Sequence, residues 1–284
     1  MSIPILARNR GGLFAATSSG GGESYDEDAD TYFTALEDEG ASPTSEQKTA
    51  ISDYFTALKA ASNFTPVKAL YLPIWADAAA NALNAVNPGT YDLTWAGTVT
   101  HASGYVVSNG STGYGYANFY GPAGSPTFVT LLESSFSINS LDGATLNNKA
   151  ACGWYSECEI QPRDGGGGGG PDAKFYIWKY NTFLAAASGG ADGHFMMNSD
   201  TPSGVNTNKF NCYKGTSLLG SQENTTHHIN SSTTQWFLLA SAYGGASHNP
   251  QRIGVYQVNF AHAGRKLASE SDFQSDTATL LAAI

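Results

Sequence analysis

The sequence predicts a β-sandwich of many antiparallel strands with small helices at its ends. Three observations carry this. Charged residues make up only 13% of the 284 residues, whereas coiled coils and helical bundles are built on Glu, Lys and Arg. Aromatic residues make up 12%, which is too much ring surface to leave in water and excludes general disorder. Glycine contributes 32 residues, set among short apolar runs, as expected of a chain that turns often.

Three regions follow in order. Residues 1–24 read as an extended N-terminal arm: the stretch ATSSGGGES is small, polar and glycine-rich and cannot form a core by itself. Residues 25–66 read as a helical hairpin. Tyr32-Phe33-Thr34-Ala35-Leu36 recurs as Tyr54-Phe55-Thr56-Ala57-Leu58, with a break at Ala41-Ser42-Pro43. Thr44 and Gln47 fit a capping box, and Ile51, Tyr54, Phe55 and Leu58 then form one apolar stripe at helical spacing. Such a stripe packs on a sheet. Asp26, Glu27, Asp28 and Asp30 lack the alternation of a calcium loop and suit the positive end of a helix dipole.

Residues 67–284 read as the sandwich. Lys68–Leu72 is strand-like and stops at Pro73, and Tyr91–Thr98 is a second candidate. Residues 108–122 alternate small and aromatic residues around glycines, as hairpins do. Residues 151–160 read as one half-buried strand, with Cys152, Trp154, Cys158 and Ile160 on one face and Tyr155, Glu157 and Glu159 on the other. Gly165–Gly170 is a loop without the ending of a phosphate-binding motif. Phe175–Tyr180 is a further strand, and Phe210–Gly220 a hairpin turning at Lys214–Ser217. Trp236–Ala242 is a continuous apolar strand, and Arg252–Ala261 alternates, with Tyr256, Val258 and Phe260 on one face. Ser271 and Gln274 can box the start of a closing helix striped by Phe273, Leu280, Leu281 and Ile284.

Charge narrows the partners. The net charge is −10 and the 14 Lys and Arg residues are scattered, so no phosphate-tracking surface is expected: no nucleic acid and no anionic membrane. No apolar run approaches the roughly 20 residues that span a bilayer, so membrane insertion is not expected. The opening MSIPILARNRGG places its arginines after a short apolar stretch, the reverse of an export signal, and assembly in a cytoplasm is expected. Cys152, Cys158 and Cys212 then read as reduced, buried thiols.

Candidate sites are sparse. Glu157 and Glu159 have the i, i+2 spacing that would put two carboxylates about 5 Å apart, as a retaining glycanase needs. The acidic pattern stops there, because Gln161-Pro162 follows, and two solvated glutamates are the simpler reading. Tyr176, Trp178 and Tyr180 share one strand face and could form a carbohydrate-binding platform. Core packing explains them at least as well, and the exposure of Trp178 decides. The paired His227-His228 sits in a polar loop and reads as solvated rather than metal-binding, and His194, His248 and His262 are scattered. No catalytic residue, metal ligand or cofactor is expected.

A family resemblance adds to this. Lys68-Ala69-Leu70-Tyr71, then Thr94-Trp95-Ala96-Gly97, Thr100-His101 and Asn109-Gly110-Ser111-Thr112-Gly113-Tyr114 resemble a run shared by tailed-phage virion proteins with a concanavalin A-like (laminin G-like) domain. The turn around Tyr213-Lys214-Gly215 and the closing Phe260-Ala261-His262-Ala263-Gly264 are similar to that group as well, and the resemblance covers roughly residues 28–284. It implies an antiparallel jelly-roll sandwich and a structural virion protein of a tailed bacteriophage, tail fibre, tail-associated or on the capsid surface. It implies no cofactor. Its partners would be other virion proteins and copies of itself, with a host-surface glycan as candidate ligand. The alternatives are a capsid decoration protein without ligand and a glucanase-like glycan-degrading enzyme.

Overall fold

The computed structural model describes residues 24–120, 127, 133–142, 149–154, 158–164, 172–177, 183–187, 190–200, 208–224, 235–240 and 253–284. The arm, the six-glycine loop, Glu157, Trp178, Tyr180, His227, His228 and His248 lie outside the described residues, apart from Ser24. Two helices come first, α1 (Glu27–Asp38) and α2 (Ser45–Ala60). The strands are β1 (Val67–Tyr71), β2 (Leu93–Ala96), β3 (Val99–Ala102), β4 (Tyr105–Ser108), β5 (Tyr114–Tyr120), β6 (Ser135–Asp142), β7 (Cys152–Trp154) and β8 (Cys158–Asp164). They continue as β9 (Asp172–Ile177), β10 (Phe183–Ala187), β11 (Gly193–Asp200), β12 (Asn208–Lys214), β13 (Ser217–Asn224), β14 (Gln235–Leu238) and β15 (Gln257–Gly264), and α3 (Glu270–Ala283) closes the chain.

The strands form two antiparallel sheets, as expected for a sandwich. One has eight strands in the order β13-β12-β11-β6-β15-β4-β3, with β1 also paired to β15; the other has seven, in the order β10-β9-β8-β7-β14-β5-β2. Between them lies an aromatic core. Trp236 stacks on Tyr71 and Phe119, with ring centroids 5.7 and 5.8 Å apart, and Trp154 meets Phe119 and Phe136 edge-on at 6.0 and 5.2 Å. Each such buried ring contributes roughly 1.5–3 kcal/mol by burial, and its ring–ring geometry adds to that.

The outer face of the eight-stranded sheet is also buried, under the three helices. Tyr32, Phe33 and Leu36 of α1, Ile51, Tyr54, Phe55 and Leu58 of α2, and Phe273 and Leu280 of α3 form one cluster with Leu70, Met196 and Phe260 of the sheet. The α2 stripe therefore packs on a sheet, and its start is the expected capping box of Thr44 and Gln47. Asp26 caps α1, and Lys59 of α2 ties Asp26 and Asp28 at 2.7 and 2.5 Å.

Asparagines fasten the loops, Asn63 and Asn84 buried and Asn109 exposed. Asn63 accepts from the N–H groups of Ala268 and Ser269 at 3.0 and 3.1 Å and donates to the Ser269 carbonyl at 2.8 Å. Asn84 accepts from Leu70 N–H and donates to the carbonyls of Lys68 and Thr90. Asn109 gathers the N–H groups of Ser111, Thr112 and Gly113 at 2.9–3.1 Å, shaping the Asn-Gly-Ser-Thr-Gly stretch.

Several elements differ from the sequence expectation. Residues 151–160 are two strands, β7 and β8, paired Cys152↔Ile160 and Trp154↔Cys158. The four core residues share a face through cross-strand pairing, because two opposed residues of an antiparallel pair point the same way. The 108–122 stretch is no hairpin: β4 pairs with β3 and β5 with β2 and β14, so the Asn109 loop carries the chain from one sheet to the other. In β15 an irregular register between Val258 and Phe260 breaks the alternation. Tyr256 and Val258 face the inter-sheet core while Phe260 joins the helical cluster. Ser269, not Ser271, caps α3, accepting from Asp272 N–H.

His194 and His262 are buried. Ser135 Oγ donates to the Arg265 carbonyl at 2.7 Å, so at 3.0 Å it accepts from His262 Nε2–H. His262 Nδ1 then accepts from Ser137 O–H. Burial holds the His194 pKa down at about 3 and that of His262 well below its usual value. Both stay neutral in the fold while the unfolded chain takes up protons near pH 6.5, so stability is full above that pH and falls as pH drops below it. The expected loss is roughly 1.4 kcal/mol for each histidine by pH 5.5. Urea unfolding at pH 7.5, 6.5 and 5.5 measures it, and His194→Leu should remove about half of the slope; a flat profile would contradict neutral burial.

Candidate functional site

Alternation along the strands of the seven-stranded sheet sends one set of side chains into the sandwich and the other to its outer face. Trp236 and Leu238 of β14, Cys152 and Trp154 of β7, Cys158 and Ile160 of β8 and Phe175 of β9 take the core. Their neighbours make one cross-strand row on the outer face, running Thr94, Tyr116, Phe237, Gly153, Glu159, Tyr176 from β2 to β9.

Four of the six positions, Phe237, Gly153, Glu159 and Tyr176, are closed to solvent. Tyr176 is 6% exposed and Glu159 1%. Tyr176 therefore lies on the outer face and outside the inter-sheet core, beside Glu159 in register. Glu159 Oε1 accepts from Gln161 Nε2 at 2.5 Å. The expectation of a solvated Glu159 is thus corrected: the carboxylate sits deep in the sheet face, and burial together with its charge pushes the Cys152 thiol pKa up. Gly153 makes this tight pairing possible. Its φ is +124°, and an added Cβ would lie 2.1 Å from the Cys158 carbonyl oxygen.

The β2 end of the row, at Thr94 and Tyr116, opens. Tyr114 and Tyr116 of β5 are half-buried, their rings 6.2 Å apart and 5.6 and 6.3 Å from Phe237 beneath them. Gly115 between them points inward, where the Trp95 ring occupies the place of a side chain. Asn118, exposed on the same strand face, accepts from Gln235 Nε2 at 3.3 Å, and exposed Thr94 lies opposite Tyr116. Aromatic faces beside an amide and a hydroxyl are the chemistry that holds a saccharide ring: the rings cover its C–H face and the polar groups meet its hydroxyls. The sequence reading reached this sheet face through Tyr176, with Trp178 and Tyr180 outside the described residues. It missed Tyr114 and Tyr116, whose signal was the i, i+2 spacing across one glycine in Tyr114-Gly115-Tyr116.

Other reactive groups are enclosed. The Ser137–His262 pair resembles an activated nucleophile, but both residues are fully buried and Phe273 lies 4.6 Å from the imidazole, centroid to centroid. Among the described residues no three His, Cys, Asp or Glu side chains converge as a metal site. Among the described residues no helix is long and apolar enough to cross a membrane.

No protein-family model matches the sequence, and no curated protein matches it. Among solved structures, the chain is similar to the receptor-binding domain of a botulinum neurotoxin C/D mosaic serotype, with TM-score 0.46 and 9% identity, over 76% of this chain and 51% of that one. It is similar to domain 4 of the arabinanase AbnA from Geobacillus stearothermophilus in complex with arabinotriose, with TM-score 0.46 and 13% identity, over 74% and 97%. A third is the CBM40 of a Ruminococcus gnavus IT-sialidase, with TM-score 0.34 and 10% identity, over 51% and 82%. The chain spans about half the length of the toxin domain, and at TM-scores below 0.5 these likenesses carry no argument about ligand or activity.

The close approach at Gly153 is testable. Gly153→Ala should lower the unfolding free energy by about 1–3 kcal/mol or more, measured by urea denaturation. An unchanged midpoint would contradict the packing of β7 against β8.

Proposed function

We propose that this chain is a structural virion protein of a tailed bacteriophage that displays its sandwich outward and holds a host-surface glycan without breaking a bond. The observation that carries the binding half of this reading is the open Tyr114–Tyr116 pair backed by Phe237, with Asn118 and Thr94 beside it. Binding is by stacking and hydrogen bonding. Glu159 is buried and bonded to Gln161 within the sheet face, which supports binding over cleavage.

The virion half rests on the resemblance of the Lys68–Tyr71 and Thr94–Tyr114 stretches to phage virion proteins. Residues 1–24 are the segment that docks on neighbouring virion proteins and on copies of this chain, since the apolar stripe of the helical hairpin is already spent on the eight-stranded sheet. A groove between α2 and α3 suits such an arm. Ala50, Ala57 and Leu280 line it, with Glu46, Asp53 and Asp276 around them. The first 22 residues of the chain carry Arg8 and Arg10 and no acid. The assembled particle would form in the host cytoplasm.

A glycan array probed with the purified chain should show binding that Tyr116→Ala reduces at least about tenfold while leaving the melting temperature within a few degrees. Deleting residues 1–24 should abolish incorporation into particles and leave array binding intact. A silent array removes the glycan half and leaves a decoration role; unchanged incorporation of the truncated chain removes the docking half.

A further inference from the structure

On the opposite side of the molecule, where the start of α3 meets β11 and β12, a cleft of about 480 Å³ opens beside the eight-stranded sheet. Its polar groups come from three elements. Glu270, in the first turn of α3, accepts from Asn198 Nδ2 at 2.6 Å, from Asn211 Nδ2 at 3.4 Å and from Tyr213 O–H. Asp200 is held by Lys209 Nζ at 2.8 Å and Asn211 Nδ2 at 3.3 Å, and Lys266 Nζ stands 4.0 Å from its other oxygen. The carboxylates and their amide and ammonium partners thus form a fixed wall, in which Asp200 and Glu270 are matched by Lys209 and Lys266.

One lining residue does not fit a closed protein network. Gln274, one turn along α3, is 2% exposed, and neither its Oε1 nor its Nε2 has a hydrogen-bond partner. Leaving one such buried group unmade costs on the order of 1–3 kcal/mol, and here a single amide leaves both its donor and its acceptor unmade in a residue that lines an open cleft. The sequence reading assigned Gln274 to a capping box, but Ser269 caps α3, and Gln274 lines the cleft with its amide buried.

The chemistry of the missing partner follows from that amide. It must donate to Oε1 and accept from Nε2 at once. A carboxylate or a phosphate accepts only, and an ammonium donates only. Further anionic charge would also face Asp200 and Glu270, and cationic charge would face Lys266. Neighbouring hydroxyls of an uncharged sugar meet both demands, and the exposed Ala268 in the same cleft gives its C–H face a contact. We infer that this cleft is a second binding site, for a neutral saccharide unit, with Gln274 as the residue that reads its hydroxyls.

This site is separate from the tyrosine pair on the seven-stranded sheet, and the two stand or fall apart. The test titrates the full chain with glucose, galactose, mannose and, as an acidic control, glucuronate, and follows the side-chain amide of Gln274 by ¹H–¹⁵N NMR. At least one neutral sugar should shift that amide saturably, glucuronate should not, and Tyr116→Ala should leave the shift in place. Gln274→Leu should keep or raise the melting temperature, because it removes a buried unbonded amide, and should weaken binding of the neutral sugar by at least about tenfold. Thr216→Trp, on the exposed β12–β13 turn, should block the same binding without touching the core. The inference is overturned if no neutral sugar moves the amide, if glucuronate binds as well, or if both variants bind like the parent. A silent glycan array together with a Gln274 shift would overturn the outer-face reading and leave this one standing.

Discussion

The eight-stranded sheet is buried on both faces, and much of the molecule follows from that constraint. One face needs the seven-stranded sheet, and the other needs three helices. β15 serves both layers, as β1 and β11 do. Val258, Ala261 and Ala263 point into the sandwich, and Phe260 points into the helical cluster. The irregular register between Val258 and Phe260 is what allows one short strand to switch allegiance. β15 also joins β1, β4 and β6, so a strand from the end of the chain binds elements from its beginning and middle. The polar groups trapped under the helices are then bonded in place: His262 between Ser135 and Ser137, Asn63 across the chain before α3, Asn198 between Leu267 and Glu270.

Function is placed by what this arrangement leaves open. Helices cover the outer face of the eight-stranded sheet at β1, β11 and β15, and a notch opens where α3 begins. There the protein assembles two carboxylates, two asparagines and a tyrosine around an amide with no internal partner. On the seven-stranded sheet the outer face is sealed around Glu159 and Tyr176 and opens only toward β5 and β2. Both openings are shallow and polar at the rim. The proposed sites would hold a ligand by fit and hydrogen bonds, and the Ser137–His262 pair is fully buried.

The layer architecture was legible in the sequence because it rests on composition and period. The capping box at Thr44, the α2 stripe, the Lys214–Ser217 turn and the inward set Cys152, Trp154, Cys158 and Ile160 all express local rules. What was not legible depends on contacts between distant segments. Residues 151–160 fit an alternating strand as well as they fit a hairpin, since cross-strand pairing preserves the face of opposed residues. The β15 irregularity leaves no mark in an alternating sequence. Glu159, His194 and His262 are polar residues whose burial is decided by partners, and neither Gln161 nor Ser135 announces that role. The cleft was illegible for the same reason: Asp200, Asn211 and Glu270 are up to 70 residues apart, and Gln274 looked like a cap.

The constraint that organises the molecule is open to one direct measurement. Native-state hydrogen exchange reports the opening free energy of each amide, and cooperative units share one value. If the helices are the second wall of a sheet buried on both faces, amides of α2 and α3 and those of β15 and β6 should exchange through the same opening, within about 1 kcal/mol. Helices that exchange several kcal/mol more easily while β15 stays protected would mark them as an appended layer and contradict the account.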